Sequence, residues 1–125
     1  MFSGFLLAGA GGFLGAGLRY LFYQGLSALV GAGGYVWATF VVNILGSFLI
    51  GCVSPLWLSP QHPARIFVVV GVLGGFTTFS SFSSDMLHLL SAGRWGWAAV
   101  YAGGSVSLGL LAAWSGFLLC SSFAK

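Results

Sequence analysis

The chain predicts an all-α integral membrane protein, a single domain over residues 1–125 with four transmembrane helices, the third broken near Gly74-Thr78. Three observations predict it. Only 4% of the residues are charged, against roughly a quarter in an ordinary soluble domain. No Asp, Glu, Lys or Arg occurs between Arg19 and Arg65, or between Arg94 and Lys125, and a bilayer-crossing helix needs about 20 mostly apolar residues. The apolar stretches are separated by Gly31-Ala32-Gly33-Gly34, by Ser54-Pro55 through Pro60-Gln61-His62-Pro63, and by Ser91-Ala92-Gly93-Arg94. These are clusters that stop helices and turn the chain.

The crossings so delimited are 3–28, 35–58, 66–91 and 95–121. In the first, Ala8, Gly12 and Ala16 form one small-residue stripe and Gly11 and Gly15 another, a spacing that lets a second helix approach closely. Its segment Gly15-Ala16-Gly17-Leu18-Arg19-Tyr20 lacks the third glycine of a dinucleotide fingerprint, and no strand precedes it. Ala8-Gly9-Ala10 has the look of a leader cleavage site. No basic segment precedes it and apolar residues continue past it, so the stretch reads as a membrane helix. Trp37 and Trp57 bracket the second crossing about 30 Å apart, where interfacial anchors belong. Trp95 and Trp97 mark the start of the fourth.

Cys52 and Cys120 lie in apolar segments and read as small buried hydrophobes, with no metal-ligand spacing and no disulfide framework. The net charge of +3 comes from four scattered cations and forms no nucleic-acid surface.

Four crossings put Arg65 and Lys125 on one side of the membrane and Arg94 on the other, with Arg19 snorkelling toward Arg94's side. Orientation follows the Lys/Arg imbalance between the two sides, and here the two sides tie. The tie predicts insertion in both orientations and an antiparallel, dual-topology homodimer about a two-fold axis in the membrane plane.

The chemistry is expected in Gly74–Asp85, a hydroxyl-rich, glycine-broken stretch within an oily chain. Polar backbone at membrane depth persists around a cavity, an ion or another helix. Phe76, Phe79 and Phe82 recur every third residue, and Thr77, Ser81 and Asp85 every fourth, so a helix would carry rings and hydroxyls on adjoining stripes. Gly74-Gly75 followed by Thr77-Thr78 should either free backbone carbonyls for a hard cation or produce a kink relieved by the threonine hydroxyls. Asn43 is in register with Thr39 and Ser47. The stripe reads as a hydrated track of donors, or as helix–helix glue worth about 0.6–2 kcal/mol per contact. Phenylalanine edges are electropositive and can face an anion. Arg19 raises the local positive potential, either recruiting anions to a vestibule or anchoring the helix end. Asp85, the sole carboxylate, has Arg19 or Arg94 as candidate partners. Tyr101 and Ser105 continue a polar track in the fourth crossing or simply pack there.

These residues together resemble the Fluc (CrcB) family of bacterial fluoride channels. Three motifs carry the resemblance: Gly17-Leu18-Arg19-Tyr20, the run from Thr39 through Asn43 to Ser47, and Gly74-Gly75-Phe76-Thr77-Thr78-Phe79-Ser80-Ser81-Phe82-Ser83. The resemblance implies a dual-topology homodimer in the bacterial inner membrane, with two antiparallel fluoride pores and a structural Na+ at the subunit interface. By motif position, it implies that the Gly74 and Thr77 carbonyls hold the Na+. Phe79 and Phe82 would be the pore rings, Asn43 the track amide, and Ser81, Tyr101 and Ser105 further lining. Asp85 and Ala38 stand where the family usually has glutamate and glycine. The implied work is passive export of fluoride, driven by a membrane potential that is negative inside, with no enzymatic step.

Two rivals predict differently. A dual-topology multidrug antiporter needs a titratable group in its substrate site, and the first two crossings contain no Asp, Glu or His. A membrane scaffold would use its hydroxyls for assembly alone.

Overall fold

The computed structural model describes residues 1–56 and 59–123. Helix α1 spans Phe2–Val30. Helix α2 spans Gly34–Val53 and is continued by a 3-10 turn, Ser54–Leu56. Helix α3, residues 63–76, is composite: Pro63–Arg65, a π-helical stretch Ile66–Leu73, and Gly74–Phe76. Helix α4 is Phe79–Ser91 and α5 is Trp95–Ser121. No strand occurs among the described residues. With α3 and α4 counted as the one span Pro63–Ser91, four spans are long and apolar enough to cross a membrane.

The turns follow from local chemistry. Gly31 (φ 76°) and Gly33 (φ 93°) take the left-handed conformations that free glycine of a Cβ penalty, and together they reverse the chain after α1. Gly93 (φ 69°) does the same between α4 and α5. The third span begins at Pro63 rather than at residue 66. Proline fits the first helical position because it has no N–H to leave unpaired, and the His62 ring nitrogen Nδ1 accepts the Ala64 N–H at 3.2 Å. Trp57, expected as an interfacial anchor, and Lys125, used in the charge tie, lie outside the described residues.

Two seams of small residues hold the spans together. Between α1 and α3, a Cβ on Gly11 or Gly15 would strike the carbonyl of Phe67 or Val72. From the other side, a Cβ on Gly71 would lie 2.7 Å from the Gly11 Cα, and one on Gly75 would lie 2.6 Å from the Gly12 carbonyl. The small-residue stripes of the first crossing therefore serve backbone-to-backbone packing, as their spacing predicts. Between α2 and α5, Gly51 faces the Ala113 carbonyl and Gly116 faces the Phe48 carbonyl. In lipid, where apolar side chains gain nothing by leaving the solvent, such close van der Waals contact is what joins helices. Large apolar side chains accordingly point outward, Phe13 and Leu108 among them, while Ala38, Thr39 and Val42 of α2 are buried at the centre.

Candidate functional site

The site is built around Thr77 and Thr78, where the backbone leaves helical geometry. Their dihedrals are extended: φ −80°, ψ 159° at Thr77 and φ −155°, ψ 115° at Thr78. Local chemistry ends α3 and starts α4 there. Thr77 turns both its N–H (3.0 Å) and its hydroxyl (2.9 Å) back to the Leu73 carbonyl, closing the upstream helix. Thr78 opens the next helix as its N-cap, its Oγ1 accepting the Ser81 N–H at 3.1 Å. The methyl of Thr77 fills the place a side chain at Gly46 would take, so α2 provides the seat for the interruption.

Asn43 of α2 stitches the interruption. Its Nδ2 donates to the Thr78 carbonyl at 3.0 Å and its Oδ1 accepts the Thr78 N–H at 2.8 Å, a reciprocal pair of the kind a neighbouring peptide group would make. This has a consequence four residues upstream. In a continuous helix the Thr78 N–H would serve the Gly74 carbonyl and the Ser81 N–H the Thr77 carbonyl. Here the first goes to Asn43 and the second to Thr78 Oγ1. The Thr77 carbonyl instead accepts a long bond from Arg19 Nη1 at 3.4 Å.

One cavity of about 430 Å³ opens beside this point and is lined by Asn43, Ser47, Gly74, Thr77, Thr78, Phe79, Phe82 and Ser105, with apolar residues of α2, α3 and α5. The Phe79 and Phe82 rings lie 5.6 Å apart at 35°, and Phe79 is 79% exposed. The donors in the wall are not equivalent. Ser47 Oγ spends its proton on the Asn43 carbonyl (2.7 Å). An amide nitrogen carries two hydrogens, and the Asn43–Thr78 bond engages one of them. The Ser105 hydroxyl is buried with no hydrogen-bond partner among the described residues.

Three sequence candidates fall elsewhere. Arg19 and Ser81 line a second cavity of about 300 Å³ with Tyr20, Tyr23, Gln24 and Tyr35, separate from the first. Tyr101 lines neither. It is 9% exposed, stacks on Phe82 at 5.2 Å and donates its hydroxyl to Asp85 Oδ2 at 2.9 Å. Asp85 therefore takes neither expected cation. Arg19 reaches the Thr77 carbonyl, and Arg94 lies over the Trp97 ring at 5.8 Å.

The single stripe expected for Thr39, Asn43 and Ser47 also divides. Thr39 is 1% exposed and bonds to the Tyr23 hydroxyl (2.7 Å) and the Tyr35 carbonyl (3.1 Å), so it is interhelical glue. The adjoining stripes expected for 76–85 lose their register at the extended pair, which leaves Phe76 and Thr77 on the upstream side. Thr78 was missed as a site residue. Its signal is a threonine placed three residues before Ser81 at a helix start, the N-cap position.

Fold and site together define a four-span membrane protein with a hydroxyl- and ring-lined cavity at an interrupted helix. The profile of the family described as CrcB-like protein, Camphor Resistance (CrcB), matches residues 6–117. The chain belongs to that family. It is 50% identical over 117 residues to the "Fluoride-specific ion channel FluC" of Thermus thermophilus, covering 92% of this chain and 91% of the relative. Identity to the FluC proteins of Chlorobium phaeobacteroides and Rhizobium meliloti is 46% over 119 residues and 45% over 120. Those alignments cover 91% of this chain in both cases, and 89% and 93% of the relatives.

Proposed function

We propose that this protein is a fluoride-selective channel of the bacterial inner membrane that lets fluoride leave the cell passively, with no catalysed step. The observation that carries the reading is the cavity in which Asn43, Ser105, Phe79 and Phe82 meet. An anion entering hydrocarbon loses its water shell and needs hydrogen-bond donors or positive ring edges in return. The second Nδ2 hydrogen of Asn43 and the unpartnered Ser105 hydroxyl are donors of that kind, and the two tilted rings stand beside them. Arg19 and Ser81, in the second cavity, form an electropositive vestibule that gathers anions. Tyr101 acts from behind Phe82, holding that ring and Asp85 in place.

The working unit in this reading is an antiparallel homodimer. The exposed Phe79 and the open side of the first cavity call for a further wall, and a second copy inserted the other way up supplies it. A structural Na+ at the interface fits the same residues. Hard cations prefer oxygen ligands, and the Gly74 and Thr77 carbonyls are among those that the interruption deprives of a helical N–H donor. The Arg19 bond to the Thr77 carbonyl is long, and a carbonyl oxygen has a second lone pair. Bound there, Na+ would neutralise carbonyl dipoles gathered from two chains and so join them.

Fluoride efflux from liposomes reconstituted with the purified protein tests the reading; flux no greater than from empty vesicles defeats it. Phe79→Ile is expected to lower that flux by roughly two- to tenfold, since an aromatic contact is worth about 0.5–1.5 kcal/mol. The dimer should persist by size-exclusion chromatography with light scattering. Replacing sodium throughout purification by N-methylglucamine should weaken dimerisation by roughly tenfold or more, as expected for an ion that binds the assembled state alone. Dimer affinity indifferent to sodium would remove the central site.

A further inference from the structure

Cys52 and Cys120 are both free and half-buried, and the register of α2 against α5 brings them together. The two helices run parallel. A Cβ on Gly104 meets the Phe40 ring at 3.7 Å, one on Gly109 meets Ser47 Oγ at 3.5 Å, and one on Gly116 lies 3.1 Å from the Cys52 nitrogen. One helical turn beyond Gly116 is Cys120, which this register sets beside Cys52 across the seam, near enough for the two thiols to interact. Helix α2 ends at Val53 and α5 at Ser121, so the pair occupies the last turn of both spans. The neighbouring hydroxyls of Ser54, Ser121 and Ser122 are suited to the headgroup level, not the hydrocarbon centre. Spacing along the chain could not disclose this pairing, because it depends on how two distant helices align.

We propose that Cys52 and Cys120 form an oxidisable dithiol, a reversible disulfide site that staples α2 to α5 at one end of the membrane domain. The bond needs a two-electron thiol oxidant, and the azo compound diamide serves as the probe. One thiolate adds to the N=N bond, whose other nitrogen takes up a proton. The second thiolate then attacks the first sulfur, the S–N bond breaks, and the substituted hydrazine leaves with another proton. The two thiols lose two electrons and two protons, and the azo group gains both. The contact requires little new ordering, because Gly51 and Gly116 already bring the two backbones together.

The test uses the full-length protein in detergent micelles, treated with diamide and then with a maleimide. The expected product is a monomeric chain lighter by about 2 Da before alkylation, closed to maleimide and restored by a thiol reductant. Cys52→Ser and Cys120→Ser should each leave one alkylatable thiol and form no intramolecular bond. Thermal unfolding of the oxidised wild-type protein should move to higher temperature than that of the reduced protein. Two thiols still alkylatable after diamide, or a disulfide found only between chains, would overturn the proposal. It rests on the fold alone, so fluoride efflux measured on the reduced protein judges the channel reading separately.

Discussion

Asn43→Asp is expected to reduce fluoride efflux by about a thousand-fold while leaving the protein folded and the proposed dimer intact. The substitution keeps the shape of the side chain and the acceptor for the Thr78 N–H, and it replaces the Nδ2 donor by an oxygen. That oxygen would face the Thr78 carbonyl across the 3.0 Å that Nδ2 now bridges, leaving an acceptor against an acceptor at a cost of about 1–3 kcal/mol. It also places a negative charge in the wall of the cavity proposed as the anion path. At an effective dielectric of about 20, a like charge about 4 Å away raises the anion's energy by about 4 kcal/mol, roughly three decades in rate. Stopped-flow or electrode-recorded efflux from liposomes checks the first effect, and light scattering of the detergent complex checks assembly. Efflux within twofold of wild type would take Asn43 out of the path.

Gly116→Leu is expected to damage the fold severely. The obstacle is backbone: a Cβ there would overlap the Phe48 carbonyl and lie 3.1 Å from the Cys52 nitrogen. A flexible side chain can move aside, but two helices in contact separate as rods, and overpacking of this kind costs about 1–3 kcal/mol or more. The seam it opens joins α2 to α5, and it carries Ser47 and Ser105 toward the same cavity. A lowered thermal midpoint with loss of the monodisperse peak in size-exclusion is the expected result. Gly103→Leu is the contrast, since nothing lies within 4 Å of a Cβ at that position. Equal behaviour of the two variants would refute the role given to the seam.

How far the site could be read in advance differs from residue to residue. Asn43 was legible as a candidate because an amide is costly in hydrocarbon unless it has a partner, Phe79 and Phe82 because they interleave with hydroxyls that carry the same cost, and Ser105 because it lies one turn from Tyr101. Which partner each one takes was not legible. Thr39 and Asn43 occupy the same stripe of α2, yet Thr39 is consumed by Tyr23 and Tyr35 and Asn43 by the Thr78 peptide groups. Periodicity locates a residue on a face, and the neighbouring helix determines what that face meets. Asp85 illustrates the same limit. Charge alone nominated two arginines, but the packing of α4 on α5 brought Tyr101 within reach first.

The number of spans, their approximate ends and the site's chemical character were settled by the chain's own residues. Hydrocarbon allows few solutions: some 20 apolar residues must be helical, and glycine or proline clusters must turn. The tertiary structure alone decided the division into two cavities, the capture of Asn43 by the Thr78 backbone and the meeting of Cys52 with Cys120. Each depends on the relative register of helices far apart in the chain. That register comes from backbone contact at Gly11, Gly15, Gly51 and Gly116, and a shift of one turn, about 5.4 Å, would give every side chain a different neighbour.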